Sequence, residues 1–223
     1  MSYDNRELIF IFLMKDIQST LYYFHDPMCS WCRGFSKVFD GLLKNLPENI
    51  IVKRILGGLA PDTDEPMSGE MKEYIQGNWK KIEETIPGIK FNFEFWNKCN
   101  PRRSTYPACR AVIAARQQGQ KFDSLMTKAI QHAYYVQARN PSDDETLIEL
   151  ASELNLDVEV FSMALNSDEV VQQLEKEIDF TREMFVESLP SLVLVTGDSQ
   201  FSVQINYNDY EPMLESIKDQ LTR

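Results

Sequence analysis

The spacing of apolar residues begins with a strand, a helix and a second strand. Residues 20–24 and 50–56 are rich in β-branched and aromatic side chains, which is typical of strands. Between them, apolar residues recur every three or four positions over residues 35–46, which predicts a helix. The first segment therefore has the order β-α-β.

A long helical block follows, from about residue 68 to 186. Ser68 is predicted to begin its first helix, and Pro107 fits the first turn of a later one. Ser142 to Glu145 has the spacing of a capping box, which predicts Ser142 as an N-cap. Helices are predicted over residues 68–86, 107–118, 122–136, 157–165 and 168–186, with one more started by the Ser142 box and an irregular segment at 92–107.

The strand pattern returns after residue 190. Residues 191–195 and 201–205, joined by a turn at Gly197, predict an antiparallel hairpin, and Asp209 is predicted to cap a last helix. Neither strand group could form a stable sheet alone. The pattern therefore predicts one sheet interrupted by a helical insertion, with a core at 17–60 and 188–223 and an insertion domain at 61–187.

Charge and composition exclude several kinds of partner. The hydrophobic fraction of 43% is ordinary for a globular protein, and the net charge of −11 argues against nucleic acid, which needs clustered cations. The local basic cluster is interpreted as surface or loop charge, with an anion site as the alternative. Its members are Lys98, Arg102, Arg103 and Arg110.

The first residues do not predict a membrane protein. Residues 8–14 (LIFIFLM) are apolar but too short to span a bilayer, and the features of a secretory signal are missing. Met14 is a candidate for the true start. We expect a cytoplasmic protein without a membrane partner, in which a dithiol rests mostly reduced.

The pair Cys29 and Cys32 stands where a strand turns into a helix. Unpaired N–H groups at a helix N-terminus favour negative charge, and the thiolate is the reactive form of cysteine. We therefore predict a redox dithiol, with Cys29 as the exposed nucleophile and Cys32 as the thiol that resolves the mixed disulfide.

Two other interpretations of this pair are two buried apolar thiols or half of a zinc site. Cys99 and Cys109 would complete four thiolates, and His25 and His132 are further ligand candidates. Zinc ribbons usually bring two close pairs, and Cys99 and Cys109 lack that spacing. We therefore expect no metal.

The order of elements resembles the thioredoxin fold as carried by DsbA-like disulfide oxidoreductases. Residues 24–32 (FHDPMCSWC) are similar to the active-site stretch of the cytoplasmic-type group described as predicted protein-disulfide isomerases, and residues 106–111 (YPACRA) to a recurring element of that group. The resemblance covers the chain from about residue 20. It implies an α/β, thioredoxin-like fold with a large all-helical insertion between the second and third core strands, and a cis proline at Pro190, after Leu189, facing the dithiol.

Residues around the dithiol have two interpretations each. Asp26 either shuttles a proton or tunes the thiolate, or it only shapes the Asp-Pro turn. His25 faces either the thiolate or solvent. Trp31 either covers the disulfide or packs in the core. Cys109 is by default a buried small hydrophobe, and the resemblance makes it a candidate accessory thiol.

Other positions are interpreted as structural. Cys99 is expected to be exposed. The pair Tyr134-Tyr135 is expected in the core of the insertion, and so are the neighbouring aromatic residues, Phe91, Phe93, Phe95 and Trp96.

The function predicted is a thiol-disulfide oxidoreductase of the reductase or isomerase type. The Ser-Trp dipeptide between the thiols departs from the Pro-His of strongly oxidising periplasmic members, which removes a stabiliser of the thiolate. The expected substrates are disulfide-containing proteins or small thiols, with no bound cofactor and with glutathione as candidate redox partner. The bulky Leu189 leaves substrate breadth open, and nothing in the sequence sets the oligomeric state.

Two alternatives from other classes remain. One is a glutathione-dependent isomerase or transferase of related fold, although such proteins use a serine where Cys29 stands. The other is a non-catalytic DsbA-like adaptor, whose acidic surface would suit a basic partner.

Overall fold

The computed structural model describes residues 18–222, so the apolar stretch at 8–14 and Met14 lie outside it. A four-stranded sheet has the order β2-β1-β3-β4. Its strands are β1 (Ser19–His25), β2 (Ile50–Leu56), β3 (Ser191–Thr196) and β4 (Ser199–Val203). The hairpin β3-β4 is antiparallel, with Leu192 opposite Val203. The prediction that both strand groups join one sheet is confirmed.

Helices fill the chain between β2 and β3, as the sequence predicts. Helix α1 (Ser30–Asn45) lies between β1 and β2. The helices between β2 and β3 are α2 (Gly69–Thr85), α3 (Phe95–Lys98), α4 (Tyr106–Gln117), α5 (Lys121–Tyr135), α6 (Asp144–Glu153), α7 (Val158–Leu165) and α8 (Asp168–Glu183), and α9 (Glu211–Leu221) follows β4. The short α3 lies in the segment predicted to be irregular. Within residues 18–222 no helix is both long enough and apolar enough to cross a membrane.

The chain divides into two compact units. The first contains the described residues up to 23, residues 37–54 and the chain from 191 onward, and the second contains residues 24–36 and 55–190. In the first unit the rings of Tyr23 and Phe39 stack at 4.1 Å. The boundaries predicted between the core and the helical insertion, at 60/61 and 187/188, are placed where strands give way to helices and helices to strands, and they stay a prediction.

The core of the second unit is an aromatic cluster around Trp79, which is fully buried on α2. Its ring lies 5.1 Å from Phe91 and 5.4 Å from Tyr135, within the range of favourable aromatic pairs. Tyr134 and Phe95 pack edge to face at 4.6 Å. The predicted aromatic core of the insertion is therefore confirmed for Phe91, Phe95, Tyr134 and Tyr135, whereas Phe93 and Trp96 are half-buried.

Helix caps follow the sequence signals only in part. Ser68 caps α2, since its hydroxyl accepts the N–H of Met71 at 3.2 Å. The capping box predicted at Ser142 is wrong. Asp143 precedes α6, and the buried Ser142 hydroxyl donates to the carbonyl of Ser104 at 2.7 Å. A buried hydroxyl has to find a partner, and here a distant carbonyl supplies it.

The cap predicted at Asp209 is also wrong. Helix α9 begins at Glu211, and the residue before it is Tyr210. The Asp209 carboxylate accepts the N–H of Glu211 at 3.0 Å, which makes a local turn before the helix.

Candidate active site

Cys29 occupies the N-cap position of α1, directly before Ser30. Its Sγ accepts the backbone N–H of Cys32 at 3.3 Å, which is the bond that a polar N-cap residue normally accepts. The thiol also lies 3.5 Å from the carbonyl oxygen of Leu189. The helix N-terminus therefore presents a donor and a favourable dipole to this sulfur.

Cys29 is less exposed than the sequence predicted. Only 5% of the residue is accessible, so the expectation of an exposed nucleophile is wrong. The residue nevertheless lines a cavity of about 170 Å³ together with Trp31, Leu59 and Leu189. A reactant would reach the sulfur through this cavity, because the rest of the residue is covered.

Cys32 lies one turn into α1 and is fully buried. Burial raises the pKa of its thiol well above the ordinary value, and the adjacent Cys29 and the charge of Asp26 raise it further. Cys32 is therefore held as a neutral thiol at neutral pH, and it needs a base before it can act as a nucleophile.

Asp26 is a fully buried carboxyl group between β1 and the dithiol. One oxygen accepts the N–H of Met28 at 2.7 Å, which is the turn-shaping bond expected of an Asp-Pro sequence. The other accepts the N–H of Leu59 at 2.8 Å and the hydroxyl of Thr105 at 2.6 Å. Burial raises the pKa of Asp26, although these hydrogen bonds oppose the shift.

The other two cysteines occupy different environments. Cys109 is fully buried on α4, and its Sγ lies 3.5 Å from the Thr105-bonded oxygen of Asp26. Burial, and then the charge of Asp26, raise the pKa of this thiol well above the ordinary value. Cys99 is half-buried rather than exposed as predicted, because its thiol donates to the carbonyl of Ala138 at 3.2 Å.

The zinc alternative has no matching group of ligands. Across the described residues, no set of three or more His, Cys, Asp or Glu side chains could hold a metal ion. His25 is fully buried at the end of β1, so the solvent-facing interpretation is wrong, and His132 is exposed on α5.

Three predicted shaping residues lie around Cys29. Trp31 is half-buried and lines the cavity. The bond between Leu189 and Pro190 is cis, as the resemblance implied. The Leu189 side chain packs against the backbone of Gly57, where an added Cβ would lie 2.9 Å from Leu189 Cδ1.

Comparison with known proteins decides the family. The sequence profile described as thioredoxin matches residues 22–216. The chain belongs to the thioredoxin family. Within this family, a crystal structure of a candidate protein disulfide isomerase from Nitrosomonas europaea superposes with a TM-score of 0.78 at 27% identity, covering 92% of this chain and 98% of that one.

A second structure with a similar fold is the cytosolic disulfide reductase DsbM from Pseudomonas aeruginosa. It has a TM-score of 0.73 at 20% identity and covers 91% of this chain and 98% of that chain. The resemblance to DsbA-like proteins and the thioredoxin-like fold with a helical insertion are both confirmed by these neighbours.

Curated relatives have a different kind of name. The ClpXP adapter protein SpxH of Bacillus subtilis is 27% identical over 174 residues, which are 77% of this chain and 56% of that protein. The SpxH of Halalkalibacterium halodurans is 24% identical over 177 residues, 78% of this chain and 57% of that protein. The chain thus matches less than three fifths of the length of these relatives.

The sequence analysis did not connect several residues with the candidate site. Thr105 holds Asp26, and its hydroxyl also accepts the N–H of Ala60 at 3.1 Å. Tyr135, predicted only as core, donates its hydroxyl to the carbonyl of Met28 at 2.7 Å. Tyr134, also predicted as core, and Arg103, predicted only as a member of the basic cluster, line the cavity at Cys29. These residues are 70 or more positions from Cys29, so no local sequence pattern connects them with it.

Proposed function

We propose that this chain is a thiol-disulfide oxidoreductase of the reductase or isomerase type. The observation that carries the proposal is the position of the Cys29 sulfur, which accepts the N–H of Cys32 and opens onto a cavity. Behind it, Cys32 and Asp26 are both fully buried. This arrangement supports a reaction in which Cys29 is the nucleophile, Cys32 is the resolving thiol and Asp26 is the base.

The proposed reaction begins with the reduced dithiol. The Cys29 thiolate attacks one sulfur of a substrate disulfide, forms a mixed disulfide and releases the first substrate thiolate. Cys32 then loses its proton and attacks Cys29 Sγ, which releases the second substrate thiolate. The protein dithiol is oxidised by two electrons to a disulfide, and the substrate disulfide is reduced by two electrons to two thiols.

Asp26 is proposed to take the proton of Cys32. Asp26 and Cys32 are both fully buried, and the charge of the Asp26 carboxylate is among the causes that raise the pKa of the Cys32 thiol. The raised pKa of Asp26 itself makes it a stronger base than a surface aspartate. The bond to Thr105, which lines the cavity, gives the accepted proton a route outward.

The cellular setting follows from the relatives by analogy. One neighbour is described as a cytosolic disulfide reductase, and another structure of that protein is described as containing GSH, with a TM-score of 0.70 at 20% identity. We propose that this chain also acts in the cytoplasm and that glutathione restores its dithiol. Two glutathione molecules would be oxidised to one disulfide in each cycle.

The proposal is tested by reduction of bis(2-hydroxyethyl) disulfide and of insulin. Cys29→Ser should abolish both activities, because it removes the sulfur that is proposed to form the mixed disulfide. Cys32→Ser should trap the mixed disulfide, visible as added mass on the intact protein. Cys99→Ser is the matched control and should retain the wild-type rate. Equal rates for wild type and Cys29→Ser would refute the proposal.

A second candidate function is that of a non-catalytic adaptor, and the SpxH relatives are the observation that favours it. Capture of one ClpXP component by both the wild type and the Cys29→Ser/Cys32→Ser double variant would support it. Loss of capture in the double variant would tie binding to the dithiol instead. A glutathione-dependent isomerase or transferase would be indicated by tight glutathione binding with turnover that survives Cys29→Ser.

A further inference from the structure

The cavity at Cys29 has a charge opposite to that of the chain as a whole. The protein contains 34 acidic residues and has a net charge of −11. None of the described residues that line this cavity is Asp or Glu, whereas two are arginines, Arg102 and Arg103. A substrate group entering the cavity therefore meets positive charge in the same cavity that the Cys29 sulfur lines.

The two arginines differ in their partners. Arg102 pairs with Asp143 at 2.8 Å and also donates to the carbonyl of Ser142. Arg103 is half-buried, and within residues 18–222 it makes no hydrogen bond or ion pair. It lines the same cavity as Tyr134. Burial raises the pKa of the Tyr134 phenol, and the charge of Arg103 opposes this rise without cancelling it. Arg103 is thus a cation on the cavity wall that has no counterion within the described part of the chain.

A half-buried guanidinium without a counterion has lost part of its hydration and has gained little in return. An anion that binds the guanidinium would compensate for the lost hydration, and the planar guanidinium can donate two parallel hydrogen bonds to a carboxylate. The cavity of about 170 Å³ is smaller than typical ligand pockets of ~300–1,000 Å³. It has room for the group next to the disulfide but not for a large bound cofactor.

We propose that Arg103 binds a carboxylate carried a few bonds from the substrate sulfur, so that the chain prefers anionic disulfides. This inference rests on the proposed function, because it concerns the substrate that Cys29 attacks. Free cystine carries such a carboxylate. In oxidised glutathione and in peptides the cysteine carboxyl is an amide, so the nearest carboxylate is that of glycine or of a flanking acidic side chain. Arg103 acts on substrate selection, whereas Cys29 and Cys32 carry out the sulfur chemistry.

Three disulfides of matched length test the proposal. They are 3,3′-dithiodipropionate, bis(2-hydroxyethyl) disulfide and cystamine, which end in carboxylates, hydroxyls and ammonium groups. The single-turnover rate of the pre-reduced protein with each disulfide is divided by the rate at which dithiothreitol reduces the same disulfide. This ratio corrects for differences in the intrinsic reactivity of the three disulfides. We expect the wild type to favour the carboxylate over the hydroxyl compound by about tenfold, as one charge-assisted hydrogen bond would give.

Variants assign this preference to Arg103. Arg103→Met should lose the about tenfold preference, measured as the ratio of the rates with the carboxylate and the hydroxyl compound, and Arg103→Lys should restore part of this ratio. Lys80→Met, which removes an exposed charge from α2, is the matched control and should keep the full preference. A preference unchanged in Arg103→Met, or absent from the wild type, would overturn the proposal.

Two further arms distinguish the source of the carboxylate. Oxidised glutathione represents a small disulfide, and a cystine peptide with flanking Glu, compared with its Gln counterpart, represents a protein. Whichever arm loses rate in Arg103→Met identifies the source. Failure to reduce the hydroxyl compound in the wild type would refute the oxidoreductase function itself, which is a separate outcome.

Discussion

Asp26 is the residue whose role depends most on its surroundings. A carboxyl group on the surface would be ionised at neutral pH and would be a weak base. Here burial raises its pKa, and donors from Met28, Leu59 and Thr105 limit that rise. The hydrogen bonds keep the ionised form accessible, and burial makes it a useful proton acceptor for Cys32.

Asp26→Asn should slow the second step of disulfide reduction and spare the first. With 4,4′-dithiodipyridine, attack by Cys29 and then by Cys32 each release one thiopyridone, so stopped-flow absorbance separates the two phases. Removing the base should slow the second phase on the order of 10²-fold at pH 7. Slowing of both phases by the same factor would contradict a role as proton acceptor.

The pH dependence of the second phase has a defined sign. Below the raised pKa of Asp26 the carboxyl is protonated and cannot accept a proton, so the wild-type rate should rise with pH through that pKa. Asp26→Asn should be flat over the same interval. Cys109→Ser is the control, because it keeps a donor near Asp26 while removing the third thiol.

At the scale of elements, the turn that follows β2 requires a glycine at position 58, because neighbouring side chains leave no space for a Cβ there. The sequence predicts that Gly57-Gly58 ends the strand, and β2 does end at Leu56. Gly58 has φ +55°, and an added Cβ would lie 2.7 Å from Ile178 Cδ1 and 2.8 Å from Tyr106 Cε1. Both the backbone conformation and the packing therefore exclude a side chain there.

Gly58→Ala should lower the free energy of unfolding by about 1–3 kcal/mol. The added Cβ disfavours the left-handed backbone conformation, and it also overlaps the neighbouring side chains. Gly77→Ala is the matched control. Gly77 lies inside α2 with nothing within 4 Å of an added Cβ, so alanine should raise stability by about 0.5–1 kcal/mol. Urea unfolding measures both, and shifts of the same sign would contradict the explanation.

At the scale of the molecule, a buried ion triad joins the consecutive helices α4 and α5 to α8, which is distant from them in sequence. Arg116 on α4 pairs with Asp123 on α5 at 2.8 Å and with Glu177 on α8 at 2.6 Å. Burial alone lowers the pKa of Arg116, but the two carboxylates outweigh it and raise that pKa. Glu177 also accepts the N–H of Leu56 at 2.8 Å, so the triad reaches the end of β2.

Glu177→Ala should lower the free energy of unfolding by about 3 kcal/mol, since it breaks a buried ion pair and leaves a buried N–H without its acceptor. The amide of Leu56 should also exchange its hydrogen faster. Asp179→Ala, which removes an exposed pair with Arg182 on the same helix, should change stability by less than about 0.5 kcal/mol. Equal losses for both variants would exclude the triad as the cause.

The sequence by itself determined the order of elements, the family and the dithiol. These depend on local signals: side-chain periodicity, prolines and glycines at boundaries, and two cysteines separated by two residues. Local signals predicted the helix N-caps less well, and Ser142 shows the reason. Its spacing to Glu145 fits a capping box, yet its hydroxyl bonds to Ser104, because burial gave it a different partner.

Only the tertiary structure decided the environment of the dithiol. It brought Thr105 and Cys109 to Asp26, Tyr135 to Met28, and Arg103 to the cavity at Cys29. It also reduced the exposure of Cys29 and buried Cys32 completely. Burial and pKa depend on which distant residues surround a group, and residues 70 or more positions away leave no periodic trace in the sequence.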